Sequence, residues 1–334
     1  MAKRPTMADV AAEAGVSRAL VSIVFRNAAG ASEATRERVF AAAGRLGYRP
    51  DARARLLRSS RSGLLGVVFA LDGAFHAELV EAVYPAAAAA GFDLALSARG
   101  PRRTEAEALG SLLDLGAEAL LVLAPDTAAE ELAALPVPVV SVLESQEHDA
   151  VASVATDEAA GIGLAVAHLR GLGHARLVHL DGGAAVGSAA RRAAFRALEG
   201  GGAVVVPAGP TDSAGMAAAA ILLREREGSP DGAPTAAVVF NDEAALGVVH
   251  VLRSAGVRVP EDLSVVGYDD SRLAALAHIQ LTSVRQDPDA LAAATVHAAA
   301  EALAGRHEHV LVPPSLTVRA STAPPAGSPS TTVR

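Results

Sequence analysis

The sequence predicts a small all-helical head followed by an α/β body, and three observations carry that prediction. Residues 6–27 form two short amphipathic helical patterns joined at a glycine. From Leu64 onward, short apolar runs alternate with helical patterns, the signature of parallel sheets covered by helices. Charge divides at the same place. Residues 1–62 hold 12 Lys+Arg against 5 Asp+Glu, a charge of +7, while the rest holds 17 against 32, or −15, in a 334-residue chain of net charge −8.

In the head, Thr6 is placed to cap a first helix whose Met7, Val10, Ala11 and Ala14 share one stripe. Gly15 permits the tight turn, and Ser17 caps a second helix with Val21, Val24 and Phe25 facing inward. Two short helices joined in this way make a helix-turn-helix, whose second helix enters the major groove of DNA. Thr6 and Ser17 therefore belong to the expected DNA-contacting set. Arg18, Ala19, Ser22 and Ile23, at the front of the second helix, are the expected base readers. Arg18 can fork onto guanine O6 and N7 or only touch phosphate; Ile23 rests on a thymine methyl or extends the core. Arg26, Asn27 and Arg36 are better placed for phosphates.

A third helix is expected after the loop at 27–31. Ser32 caps it, Val39, Ala42, Ala43 and Leu46 form its buried stripe, and Gly47, Tyr48 and Pro50 stop it. The stretch from Asp51 to Arg58 has a capping Asp and good helix formers but only about two turns, below the roughly 12–15 residues an isolated helix needs. It is expected to fold only against a partner, and Arg53, Arg55 and Arg58 point to DNA. The cationic head suits phosphates, and the acidic body stays off them.

In the body, strands are expected at 64–70, 92–96, 119–123, 137–142, 176–180, 236–240 and 263–267. Helices are expected at 77–90, 105–115, 159–172, 191–198, 214–226 and 243–255. The Ser-, Thr- and Pro-rich tail at 322–334 is expected to be disordered. The chain has no Cys, which excludes disulfides, thiolate metal sites and Cys nucleophiles. Lys3 is its only lysine, so the body has no P-loop or Schiff-base lysine. Gly161-Ile-Gly163 lacks the third glycine of a dinucleotide fingerprint, and there is no G-x-S-x-G elbow. His168, His174 and His179 are not at compact metal-ligand spacing, and His307 and His309 are expected to face solvent. No enzyme, cofactor or metal is expected. Residues 1–20 are a capped amphipathic pattern and not an apolar leader, and no apolar run is long enough for a membrane span, so a cytoplasmic protein is expected.

The chain resembles the LacI/GalR family of bacterial transcription regulators. In the head the resemblance rests on Asp9-Val10-Ala11, Ala14-Gly15-Val16-Ser17, Val21-Ser22, Thr35-Arg36 and Leu46-Gly47-Tyr48-x-Pro50. In the body it rests on His168-Leu169-x-x-Leu172-Gly173-His174-x-Arg176, Phe240-Asn241-Asp242, the run from Gly256 to Asp269, Leu281-Thr282-x-Val284 and Val318-Arg319-x-Ser321. It implies an N-terminal all-α helix-turn-helix head (1–50) joined by a hinge helix and linker (51–62) to an α/β periplasmic-binding-protein-like body (63–321). That body would comprise two Rossmann-like lobes, at about 63–157 plus 287–312 and about 158–286 plus 313–321. It also implies a homodimer on double-stranded operator DNA, controlled by a small sugar or sugar derivative. Leu57 aligns with the family's hinge leucine, an apolar wedge in the minor groove, with Leu56 the competing position.

Ligands of open α/β sheets sit beyond the carboxyl ends of the strands. Phe75, His76, Asn241, Asp242, Asp269 and Gln286 fall there. Arg191 matches the family's cleft arginine, with Arg192 the one-residue alternative. Where the family often has Asp after the fourth strand, this chain has Leu143-Glu144, so either Glu144 substitutes or the cleft favours a less hydroxylated ligand. Asp242 and Asp269 are also candidate helix caps, and Asp270 is expected to face solvent. The function expected is a ligand-responsive repressor of carbohydrate-metabolism genes, released from a palindromic operator by its effector. A corepressor-activated regulator and a transporter's solute-binding protein are the alternatives. The basic head argues against the latter.

Overall fold

The computed structural model describes residues 5–25, 29–48, 62–71, 73–146, 148–228 and 232–326. Arg26, Asn27, Pro50, Arg53, Arg55, Leu56, Leu57 and Arg58 lie outside the described residues, as does the expected hinge at 51–62 apart from Ser62. The chain divides into two compact units, Met1–Ser62 and Gly63–Arg334.

The first unit contains α1 (Met7–Ala14), α2 (Arg18–Phe25) and α3 (Glu33–Leu46). Thr6 closes a capping box: the Asp9 carboxylate accepts from the Thr6 amide at 2.7 Å, while Thr6 Oγ1 accepts from the Asp9 amide. Gly15, at φ 64°, and Gly47, at φ 62°, end α1 and α3 in the left-handed region, where a side chain is penalised. Ser17 Oγ accepts from the Leu20 amide at 3.1 Å and starts α2. The core is four valines (Val10, Val21, Val24, Val39) and four alanines (Ala11, Ala14, Ala42, Ala43). Each fully buried valine contributes about 1.5–3 kcal/mol, so this small core has little to spare. Phe25 is half-buried and packs edge-on against Phe40, their centroids 5.7 Å apart.

The second unit is two six-stranded sheets. In lobe one the order is β11-β5-β4-β3-β1-β2, all parallel: β1 (Leu64–Ala70), β2 (Asp93–Arg99), β3 (Ala119–Leu123), β4 (Val139–Val142), β5 (Ala152–Thr156) and β11 (His309–Val312). In lobe two the order is β12-β10-β9-β8-β6-β7: β6 (Leu177–Leu180), β7 (Val204–Val206), β8 (Ala236–Val239), β9 (Ser264–Asp269), β10 (Thr282–Arg285) and β12 (Ser315–Thr317). Only β12 runs antiparallel to its neighbour. The helices are α4 (Ala74–Ala89), α5 (Glu105–Asp114), α6 (Ala129–Ala133), α7 (Glu158–Gly171), α8 (Ser188–Glu199), α9 (Asp212–Gly228), α10 (Asp242–Ser254) and α11 (Pro288–Leu303).

The chain crosses between lobes at three places: between β5 and α7, between β10 and α11, and between β11 and β12. Helix caps fix the first two. Asp157 Oδ1 accepts from the Ala160 amide at 2.9 Å, and Asp287 Oδ1 accepts from the Asp289 and Ala290 amides ahead of Pro288. The Asp157 amide also donates to Val312 O at 3.0 Å, which ties the first crossing to the third.

In lobe two, α9 and α10 cross so closely that a Cβ on Gly247 would lie 2.0 Å from Asp212 O, and one on Gly215 2.0 Å from Ala244 O. Only glycine fits either place.

The tail departs from expectation at its start. Ser321 Oγ donates to Val265 O at 2.6 Å, Thr322 shares a hydrogen bond with His168, and Ala323 bonds Ser264 and His174. Its polar composition reads as disorder, yet buried polar groups of lobe two supply it with partners. His309 is exposed as expected but bonds Ser153, while His307 is half-buried.

Candidate nucleic-acid interface and ligand cavity

In the head, burial of Val21 and Val24 turns the opposite side of α2 outward. Arg18 and Ala19 are exposed, and Ser22 and Ile23 are half-buried. Arg18, Ala19 and Ser22 thus share one face, at i, i+1 and i+4. Arg36 on α3 is half-buried. The hydroxyls of Thr6 and Ser17 serve as helix caps.

In the body, a cavity of about 300 Å³ lies at the carboxyl ends of both sheets. Ala70 and Arg99 end β1 and β2, and Ala124 and Leu143 follow β3 and β4. Phe240, Asp269 and Gln286 come from the ends of β8, β9 and β10. The cavity brings together six of the residues expected from the sequence: Phe75, His76, Arg191, Asn241, Asp269 and Gln286.

Asp269 is the central acceptor. Gln286 Nε2 donates to Asp269 Oδ1 at 2.6 Å, and Thr156 Oγ1 donates to Gln286 Oε1 at 2.6 Å. Thr156 ends the last strand before the first crossing and Gln286 sits at the second, so the carboxylate is wired into both. Burial raises the Asp269 carboxyl to about 7, although Arg191 and the Gln286 hydrogen bond pull it down. Asp269 holds φ 104°, strained for a non-glycine residue, and such strain concentrates at ligand sites.

Arg191 is gripped from lobe two. Its Nε and Nη2 donate to the Glu158 carboxylate at 2.7 and 3.0 Å, and Nη1 donates to Phe240 O at 2.6 Å. Its guanidinium lies 3.5 Å over the Tyr268 ring and 4.7 Å over the Phe240 ring. Arg192, the alternative position, pairs with Asp181 at 2.5 Å and lies outside the cavity lining. Asn241 is the helix cap here: its Oδ1 accepts from the Ala244 amide at 2.9 Å while Nδ2 donates to Pro210 O.

Three expectations are corrected. Asp242 does not line the cavity. Its carboxyl turns inward, accepting from the Ser271 amide (2.7 Å), Ser271 Oγ (2.9 Å) and Ser283 Oγ (2.5 Å). Burial and the nearby Asp269 raise its pKa well above the ordinary carboxylate range. Gly267 makes the room, since a Cβ there would lie 2.4 Å from Asp242 Oδ1. Glu144 is also outside the lining. Leu143, at φ 71°, takes the wall, and the Glu144 carboxylate accepts from Gln146 Nε2 at 2.8 Å, its pKa raised by burial. Asp270 does not face solvent: its side chain is 4% exposed and pairs with Arg319 at 2.7 Å and Arg285 at 3.5 Å.

Several site residues escaped the sequence reading. Arg99 reaches the cavity because β2 runs three residues past the expected end, and Asp126 and Ser271 line it from loops. Glu158, the partner of Arg191, carries no local signal, because 33 residues separate the two. Across the cleft, the Arg272 amide donates to Glu78 Oε1 of α4 at 2.9 Å. Among the described residues no helix is long and apolar enough to cross a membrane.

Comparison with known proteins agrees with a helix-turn-helix head followed by a periplasmic-binding-protein-like body. Residues 6–51 match the model for bacterial regulatory proteins of the lacI family, and residues 166–322 match a periplasmic binding protein-like domain. The chain is 32% identical to the HTH-type transcriptional regulator MalR of Streptomyces coelicolor, over 96% of this chain and 97% of that protein. Among solved structures, it is similar to the lac repressor dimer bound to operator and the anti-inducer ONPF, at 29% identity and a TM-score of 0.79, covering 96% of this chain and all of that one. It is also similar to the transcriptional regulator CelR–cellobiose complex, at 29% identity and a TM-score of 0.68, covering 95% and 100%.

Proposed function

Because the chain belongs to the lacI family of bacterial regulatory proteins, and so is a transcriptional regulator and not an enzyme, we propose that it represses carbohydrate-metabolism genes from a palindromic operator. It does so in the cytoplasm as a homodimer and is released by a small sugar-like effector. The similar structures solved with operator and ONPF, and with cellobiose, support this reading.

The observation that carries it is the Thr156–Gln286–Asp269 chain of hydrogen bonds. An effector hydroxyl bound by Asp269 acts directly on the two crossings that set the lobe arrangement. A ligand shifts an equilibrium only by its differential affinity for the two states, typically about 1–3 kcal/mol in allosteric systems. That suffices to change occupancy of an operator held near its midpoint.

In this proposal Arg18, Ala19, Ser22 and Ile23 read bases, and Thr6, Ser17, Arg26, Asn27 and Arg36 hold the phosphate backbone. The 51–62 hinge, with Arg53, Arg55 and Arg58, folds in the minor groove, where Leu57 wedges a base step. Phe75, His76, Arg191, Asn241, Asp269 and Gln286 hold the effector.

The test is a fluorescence-anisotropy titration of the full-length protein against its own promoter fragment, at rising salt and with and without sugars. Binding that falls steeply with salt, as phosphate contacts require, and that weakens with one of the sugars supports the proposal. A protein indifferent to the promoter at low ionic strength ends it.

A further inference from the structure

Asp269 and Ser271 line the cavity, and Asp270 between them does not. Its side chain turns away from the cavity and is 4% exposed. Its Oδ2 accepts from Thr317 Oγ1 at 2.7 Å and lies 3.5 Å from Arg285 Nη1, while its Oδ1 lies 2.7 Å from Arg319 Nη2. Its amide donates to Ser283 Oγ at 3.0 Å. Thr317 ends β12, the strand that the chain enters from the third crossing, and Arg319 follows it by two residues, with Val318 exposed between them. Arg285 ends β10, one residue before Gln286 at the second crossing. The Thr156–Gln286–Asp269 hydrogen bonds address the first two crossings, and Asp270 addresses the third from lobe two.

Two physical features make this link stiff. Asp269 and Asp270 hold φ 104° and 51°, and two consecutive non-glycine residues stay in the left-handed region only where their surroundings hold them there. Unpairing a buried carboxylate from its partners costs more than a typical allosteric coupling. A ligand that shifts Asp269 therefore moves the loop and β12 together. We propose that Asp270 is a positioning residue of the switch: it fastens the effector loop to β12 and carries a shift of Asp269 to the third crossing without touching the effector. The inference rests on the reading of the cavity as the effector site and adds a residue outside its lining.

The test is fluorescence anisotropy of the promoter fragment with the full-length parent, Asp270→Asn and Thr317→Val, each alone and with saturating D-glucose, D-galactose, D-ribose or cellobiose. The response is the ratio of operator Kd with sugar to that without, and allosteric couplings run from about 5- to 150-fold. Asn tolerates the left-handed backbone and still accepts from Thr317, so Asp270→Asn removes the charge and keeps the loop. With the sugar that releases the parent, the response of Asp270→Asn should fall by about fivefold or more. Its sugar affinity by calorimetry should stay within about threefold of the parent's, since Asp270 does not line the cavity. Thr317→Val breaks the link from the β12 side with every charge intact and should lower the response by about twofold or more.

Hydrogen exchange gives the second readout. The sugar should alter exchange at 266–272 and at 315–320 in the parent, and at 266–272 alone in Asp270→Asn. A merely structural role would lower the thermal midpoint and leave the response and the change at 315–320 as in the parent. That result overturns the inference and leaves the effector reading standing. If Asp270→Asn fails to fold, Thr317→Val decides, and a parental response in it overturns the link. A parent that answers none of the four sugars overturns the carbohydrate reading and the inference with it.

Discussion

Removal of Glu158 tests how the cavity arginine is held. The Arg191 side chain is 5% exposed and that of Glu158 12%, and the two make a bidentate pair at 2.7 and 3.0 Å. Glu158 raises the Arg191 pKa, and a guanidinium cannot escape by losing its proton. In Glu158→Ala the buried charge loses its bidentate partner and keeps Phe240 O at 2.6 Å, the faces of Tyr268 and Phe240 and the attraction of the nearby Asp269 carboxyl. Breaking a buried pair from one side typically costs about 3–5 kcal/mol, and the body should lose that much stability. In Glu158→Ala/Arg191→Met the stranded charge is gone, so the double loss should fall short of the summed single losses by about 2 kcal/mol or more. The assay is urea unfolding of the full-length proteins followed by circular dichroism, with the slope checked for constancy across variants. A loss below about 1 kcal/mol in Glu158→Ala, or additive single effects, would refute the view that Glu158 neutralises a trapped cation.

The remaining predictions concern packing, pH and the two functional sites. Gly247→Ala drives a methyl to 2.0 Å from Asp212 O and should cost about 1–3 kcal/mol or more, while Gly163→Ala, with nothing within 4 Å on α7, should gain about 0.5–1 kcal/mol. Equal effects on thermal unfolding would contradict the packing argument. Burial lowers the His179 pKa to about 4, below the unfolded value near 6.5, so its contribution is complete above pH 6.5 and declines as pH falls toward 4. A non-titrating His179→Leu variant should close on the parent protein by about 3 kcal/mol between pH 7 and 4. A stability difference independent of pH would show that the imidazole does not resist protonation. Asp269→Ala should abolish the response of promoter binding to effector while leaving ligand-free operator affinity within about twofold, since the residue lies in the body. Undiminished effector affinity by calorimetry would count against Asp269. Leu57→Ala should weaken operator binding by about 1–3 kcal/mol with effector affinity unchanged, and operator affinity equal to the parent's would remove the wedge.

Much of the architecture is legible because burial imposes periodicity. The first and third body strands were readable to the residue, since their continuous apolar runs admit no other use. β7 and β12 escaped because three residues at a sheet edge carry too little pattern, and α11 because its alanine-rich run lacks a polar face. Residues beyond strand ends were readable as cavity candidates because sheet topology alone exposes those positions.

Local chemistry along the chain was enough to determine the capped helical pair of the head, its opposite charge to the body, the α/β alternation and the polar candidates at strand ends. Short-range periodicity and turn chemistry act over a few residues and need no partner. The inward turn of Asp242, the seating of Leu143 in place of Glu144, and the Glu158–Arg191 and Asp270–Arg319 pairs needed the folded chain. The partners of Asp242, Glu158 and Asp270 lie 29 to 49 residues away in the chain, and a buried charge takes whichever distant partner folding delivers.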